Sequence, residues 1–77
     1  MSASDTLLDV QGLNCPLPLL RTKKAMKAVA PGATLTVLAT DPAAATDIPA
    51  FCTASGYALV SSEEDNGVFT FRIRQAA

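Results

Sequence analysis

The run Thr34-Leu35-Thr36-Val37-Leu38-Ala39 alternates hydroxyl and apolar side chains. Successive side chains of a strand point to opposite faces, so this segment is a strand with one dry face and one wetter face. A doubly wound parallel sheet, buried on both sides, needs strands that are apolar throughout. The alternation therefore confines any helices to one face of the sheet. Phe69, Phe71 and Ile73, alternating with Thr70, Arg72 and Arg74, repeat the pattern near the end of the chain.

The remaining elements follow from local signals. Thr6-Leu7-Leu8-Asp9-Val10 is a short run of strand formers that Gly12 closes off. Tyr57 to Glu63 and Val68 to Arg74 flank Glu64-Asp65-Asn66-Gly67, and Asn-Gly is the strongest short hairpin signal. From Pro16 to Val29, Leu19, Thr22, Ala25, Met26 and Val29 recur on one side at helical spacing, opposite Arg21, Lys23, Lys24 and Lys27. Ala30-Pro31-Gly32 ends that helix. Asp47 is expected to cap a second, short helix on which Ile48, Phe51, Cys52 and Ser55 share a face, with Pro49 in its first turn and Gly56 as its stop. The order β-α-β-α-β-β predicts an α/β protein, a two-layer α/β sandwich whose four-stranded mixed sheet carries two helices packed on one face. We expect a single domain over 1–77 with an ordered core of about 6–75 and loose ends at Met1–Asp5 and Ala76–Ala77.

Composition narrows the chemistry. In 77 residues there is room for one small domain and none for a cofactor domain, so no cofactor is expected. Fourteen of the apolar residues are Ala, which leaves a thin core of large side chains. With no His and only two Cys, His-containing catalytic triads and four-thiolate zinc sites are excluded, and no metal is expected. Six Lys/Arg against seven Asp/Glu argue against direct nucleic-acid binding. No apolar run approaches the ~20 residues of a membrane span, and the first residues carry neither a basic nor an apolar leader signal. The expectation is a cytoplasmic monomer away from membranes, in which two Cys point to reactivity or burial more readily than to a structural disulfide.

Cys15 is the candidate reactive group. It lies where a loop becomes a helix, so the helix dipole and free N–H groups are expected to favour a thiolate or persulfide there and to lower its pKa. Pro16, at the expected first helical position, and Pro18 restrict the residues before them and hold the cysteine at the tip. Leu17 and Leu20 fall on the side of Lys24, away from the packed stripe, and form an apolar patch beside the thiol. Arg21 and Lys24, within a face that holds four of the six cations, suit an acidic partner surface, although a solvated helix face explains them too. A Cys-Pro in isolation is more often plain loop. Two prolines around the first turn tip the balance, and the residues alone give a nucleophilic or sulfur-carrying Cys15. Cys52, on the apolar stripe of the second helix, reads as core, with a disulfide to Cys15 as the alternative. Asp41 and Asp47 are accounted for by turn and cap duties. A thiol redox switch using Cys15 and Cys52, or a non-catalytic regulatory module binding through Leu17, Leu20 and the basic face, are the competing readings.

The stretch from Leu8 to Pro18, Leu-Asp-Val-Gln-Gly-Leu-Asn-Cys-Pro-Leu-Pro, resembles the opening of the TusA/SirA family of small sulfur carriers. Pro31-Gly32 before a strand, Thr40-Asp41-Pro42, and Asp47-Ile48-Pro49-Ala50-Phe51-Cys52 are similar to its later blocks, in the same order. The resemblance implies the sandwich described above and a CPxP cysteine, here Cys15, that accepts sulfane sulfur as a persulfide and passes it on. It implies a cysteine desulfurase or rhodanese-like donor and a DsrE-like or other acceptor, with outlets in tRNA thiolation, cofactor maturation or sulfur oxidation. Three positions depart from the family pattern. Asn14 stands where an Arg often precedes the Cys, Leu17 where an acidic residue often lies between the prolines, and Gly56-Tyr57 where members that thiolate tRNA commonly have a His.

Overall fold

Six elements follow in the expected order: β1 (Thr6–Val10), α1 (Leu17–Ala28), β2 (Thr34–Ala39), α2 (Ala44–Ser55), β3 (Ala58–Asp65) and β4 (Val68–Arg74). The computed structural model describes residues 6–75, so the chain ends expected to be loose, Met1–Asp5 and Ala76–Ala77, lie outside the described residues. The strands form one mixed sheet in the order β1-β2-β4-β3. β1 pairs parallel with β2, and β4 lies antiparallel between β2 and β3. This is the α/β sandwich that the alternating strands require.

Alternation translates directly into burial. In β2, Leu35, Val37 and Ala39 are buried while Thr34, Thr36 and Leu38 are half-buried. Register carries this dry row across the sheet, since Leu8 pairs with Val37 and Val37 with Phe71, while Leu35 pairs with Ile73 and Ile73 with Leu59. Met26 and Val29 from the first helix segment, and Ala44, Ile48 and Cys52 from α2, close over it. Thr22 is also buried, and its hydroxyl donates to the Pro18 carbonyl at 2.8 Å, so no polar atom is stranded there. The opposite sheet face is left open, with Leu7 63% exposed.

Both helices differ from expectation at their starts. α1 begins at Leu17 with Pro16 as its N-cap, at φ −96° and ψ 14°, so Pro16 is not the first helical residue; Pro18 occupies the first turn and is buried. α2 is not short: it runs 12 residues from Ala44, so Asp47 lies in its first turns and is not its cap. Ala has the highest helix propensity, and the Ala43–Ala45 run starts the helix before Asp47 is reached. Pro49 is consequently interior, and the carbonyl it leaves without a donor belongs to exposed Ala45, where water can serve it.

The ends of the sheet obey turn chemistry. Asn66 at φ 52° and Gly67 at φ 83° link the paired residues Asp65 and Val68, the two-residue turn with both φ positive that Asn-Gly favours. A register shift between Leu59 and Ser61 leaves Val60 as an extra residue, 48% exposed. Gln75 ties the C-terminal end down: its amide donates to the Met26 carbonyl at 3.0 Å, and its backbone exchanges bonds with Gly32 and Ala33.

The layering makes a contrast that chemical denaturation can read. Phe71→Ala, at the centre of the dry row, is expected to cost about 3–5 kcal/mol, a large part of the roughly 4–12 kcal/mol a chain of this length possesses. Leu7→Ala on the open face should stay within about 0.5 kcal/mol of the parent. Similar midpoint shifts for the two variants would contradict the one-sided packing.

Candidate functional site

Two loops meet at the ends of the parallel strands. The β1–α1 loop and the β2–α2 loop leave β1 and β2 at the same edge of the sheet, the place where crevices form in parallel arrangements. They are joined there by two hydrogen bonds. The Gly12 N–H donates to the Thr40 hydroxyl at 2.8 Å, and the Cys15 N–H donates to the Asp41 carboxylate at 2.6 Å. The other Asp41 oxygen accepts from the Ala43 N–H at 3.3 Å, and the Asp41 carbonyl accepts from Ala44. Asp41 thus starts α2 and holds the backbone of Cys15 with one side chain.

The thiol of Cys15 is exposed, and Cys52 is a separate, buried free thiol. The Cys15–Pro16 peptide is cis. Cys15 Sγ lies 3.7 Å from a carboxylate oxygen of Asp47, to which the S–H donates. Asp47 is half-buried on α2, so both helices begin beside the sulfur.

The electrostatics reverse the expectation of a lowered pKa. The Cys15 thiol is pushed up, by desolvation from flanking protein atoms first, then by repulsion from Asp47 and the hydrogen bond to it, and further by Asp41. The anticipated counterweight is reduced by the sequence itself. Pro16 and Pro18 have no N–H, while those of Leu17 and Leu20 are engaged by the carbonyls of Asn14 and Pro16. Of the first four helical positions only Leu19 could offer a donor to an anion. Desolvation and the two carboxylates together leave the thiol above its ordinary value. Burial likewise pushes up the Cys52 thiol.

The other expected site residues lie on α1 or at its N-cap. Leu17 is 42% and Leu20 51% exposed, with Arg21 and Lys24 on the same helix, also exposed. Pro16 is exposed beside the sulfur, whereas Pro18 is buried beneath the turn. Lys23 leans elsewhere, with its Nζ 5.9 Å from the centre of the Phe51 ring. Asp41 and Asp47 are the residues that turn and cap duties alone left out of the site. They are 26 and 32 positions from Cys15, and the signal that could have found them is topological: loops following adjacent parallel strands emerge side by side.

Fold and site together define a small α/β protein offering one exposed thiol at the junction of two helix N-termini. The family model described as "Sulfurtransferase TusA" matches residues 6–75. The sulfur carrier protein TusA of Allochromatium vinosum is 45% identical over 76 residues, covering 99% of this chain and 100% of its own length. A Neisseria meningitidis protein with the name "Putative sulfur carrier protein" is 51% identical over 67 residues, covering 87% of this chain and 90% of its own length. The crystal structure of a SirA-like protein from Desulfitobacterium hafniense superposes with a TM-score of 0.76 at 29% identity, covering 94% of this chain and 99% of that one. The chain belongs to the TusA family.

The reversed electrostatics predict a distinct pH profile. Alkylation of Cys15 by iodoacetamide should titrate above the ~8.5 of a free cysteine, and Asp47→Asn should lower that midpoint, speeding the reaction about two- to fivefold near neutral pH. A wild-type midpoint below the ordinary value, or an Asp47→Asn variant unchanged in rate, would contradict this arrangement.

Proposed function

We propose that Cys15 carries sulfane sulfur as a persulfide, taking it from a donor protein and delivering it to an acceptor protein. The observation that carries this reading is the exposed Cys15 thiol in the Cys15-Pro16-Leu17-Pro18 turn of a TusA family chain. Pro16 and Pro18 shape the turn that presents the sulfur. Leu17, Leu20, Arg21 and Lys24, all exposed on the helix that follows Cys15, offer an apolar contact with a cationic border for partners.

The exchange balances without a cofactor. A donor persulfide in its protonated form, R–S–SH, presents its outer sulfur; the Cys15 sulfur bonds to it, the donor S–S bond breaks, and its electron pair stays on the donor sulfur. The proton of the Cys15 thiol ends on that leaving sulfur, so Cys15–SH and R–S–SH become Cys15–S–SH and R–SH. Delivery is the same step with an acceptor cysteine attacking the outer sulfur on Cys15. The outer sulfur of the protonated persulfide is electrophilic, and the leaving donor sulfur takes up the thiol proton, so the exchange has no net proton to remove. A raised pKa lowers the thiolate fraction, yet a more basic thiolate is intrinsically the better nucleophile, which offsets part of the loss.

A cysteine desulfurase or rhodanese-like protein is the donor class this reading favours, and a DsrE-like or related protein the acceptor class, in the cytoplasm. Among the described residues no helix is long and apolar enough to cross a membrane. Burial of Cys52 in the core favours the carrier over a Cys15–Cys52 redox switch.

Incubation with a cysteine desulfurase and cysteine should add one sulfur to the intact mass, removable by reducing agent, and Cys15→Ser should gain none. A wild type that never gains it, or a Cys15→Ser variant that gains it equally, would overturn the reading.

A further inference from the structure

Asp47 belongs to a second feature besides the thiol. It stands at one end of a groove of about 600 Å³ between α1 and α2, lined further along by Leu19, Lys23, Phe51, Lys27 and Tyr57. The floor is apolar and aromatic, with the Phe51 and Tyr57 rings in an edge-on contact at 5.5 Å.

Charge is ordered along this groove. Cys15 at the start of α1 touches Asp47 near the start of α2, and Lys23 one turn on lies over Phe51 one turn on, so the helices run side by side in the same direction. Leu19, Lys23 and Lys27 recur every four residues, as do Asp47 and Phe51, which places successive members about 6 Å apart along the axes. The groove therefore begins with a carboxylate at the sulfur, continues over aromatic rings, and is flanked by ammonium groups about 6 and 12 Å further on. An apolar floor with a carboxylate at one end and ammonium groups alongside it further on fits an extended peptide, not a uniformly charged surface.

We propose that this groove receives an extended segment of the sulfur-exchanging partner, read by its charge order: a basic side chain next to the partner's reactive cysteine, apolar side chains over Phe51 and Tyr57, and an acidic side chain toward Lys23 and Lys27. The proposal rests on Cys15 being the exchange site and deepens that reading. In this assignment Asp47 is a specificity-determining residue. A basic group placed against it compensates the carboxylate beside the sulfur, so the docked segment itself relieves the repulsion that a developing thiolate meets. A segment of reversed order sets like charges together at both ends. An extended chain advances about 3.4 Å per residue, so an acidic residue three positions after the basic one lies about 10 Å on, between the levels of Lys23 and Lys27.

Two synthetic peptides of identical composition separate the cases, Cys-Arg-Leu-Leu-Glu and Cys-Glu-Leu-Leu-Arg, each supplied as its mixed disulfide with thionitrobenzoate. Cys15 attacks the peptide sulfur, the S–S bond breaks, coloured thionitrobenzoate leaves with the electron pair, and the thiol proton passes to buffer. At low ionic strength the first peptide should react about fivefold faster or more, the scale of one contact between unit charges in water. The preference should collapse in Asp47→Asn, shrink in Lys27→Glu, and fade for the wild type in about 1 M salt. Equal rates for the two peptides, or a preference that persists in Asp47→Asn and in high salt, would overturn the proposal. If persulfide loading of Cys15 succeeds while the peptides are not distinguished, only the charge-order inference fails. If loading fails, the exchange-site reading falls with it.

Discussion

The structure hinges on the hydrogen bond from the Cys15 N–H to the Asp41 carboxylate, 2.6 Å long. It fastens the loop after β1 to the loop after β2, and the same carboxylate starts α2 through Ala43. Parallel pairing of β1 and β2 brings the loops to one edge; Asp41 turns that proximity into a fixed position for a sulfur. Everything else at the site follows from it. Asp47, in the first turn of α2, touches the thiol and also lines the groove between the helices.

This construction gives the thiol a character that a helix tip alone would not. The prolines that shape the turn also remove two of the N–H groups through which a helix end stabilises an anion. The carboxylates that position the turn add negative charge beside it. Geometry and reactivity are thus set by the same residues, with opposite signs. A carrier benefits from this balance: a sulfur exposed to solvent but held mainly as a thiol is a poor target for alkylation and oxidation until a partner changes its surroundings.

Much of the fold was legible in sequence because its causes are local. The alternation in Thr34–Ala39 and in Phe69–Arg74 gave the two central strands and their dry faces, and Asn66-Gly67 gave the hairpin. The amphipathic stripe containing Thr22, Met26 and Val29 gave the covered side of the first helix, and Cys52 fell into the core as its position on a stripe implied. Misplaced features had competing local signals. Asp47 looked like a cap because an acidic residue precedes Pro49, yet the alanines before it form helix more readily. The polarity of the site was beyond local reading, since it depends on contacts spanning 26 and 32 residues. Only the parallel pairing of β1 with β2 brings those residues to the thiol.

We propose that one of the two cysteines, the one held by Asp41 and facing Asp47, carries sulfur while the other packs. Peptide mapping by tandem mass spectrometry, after brief exposure of the folded protein to an equimolar persulfide donor and capping with iodoacetamide, tests it most directly. The additional sulfur is expected on the peptide that contains Cys15, with Cys52 unmodified until the protein is unfolded. Sulfur found on Cys52 of the folded protein, or shared between the two, would contradict it.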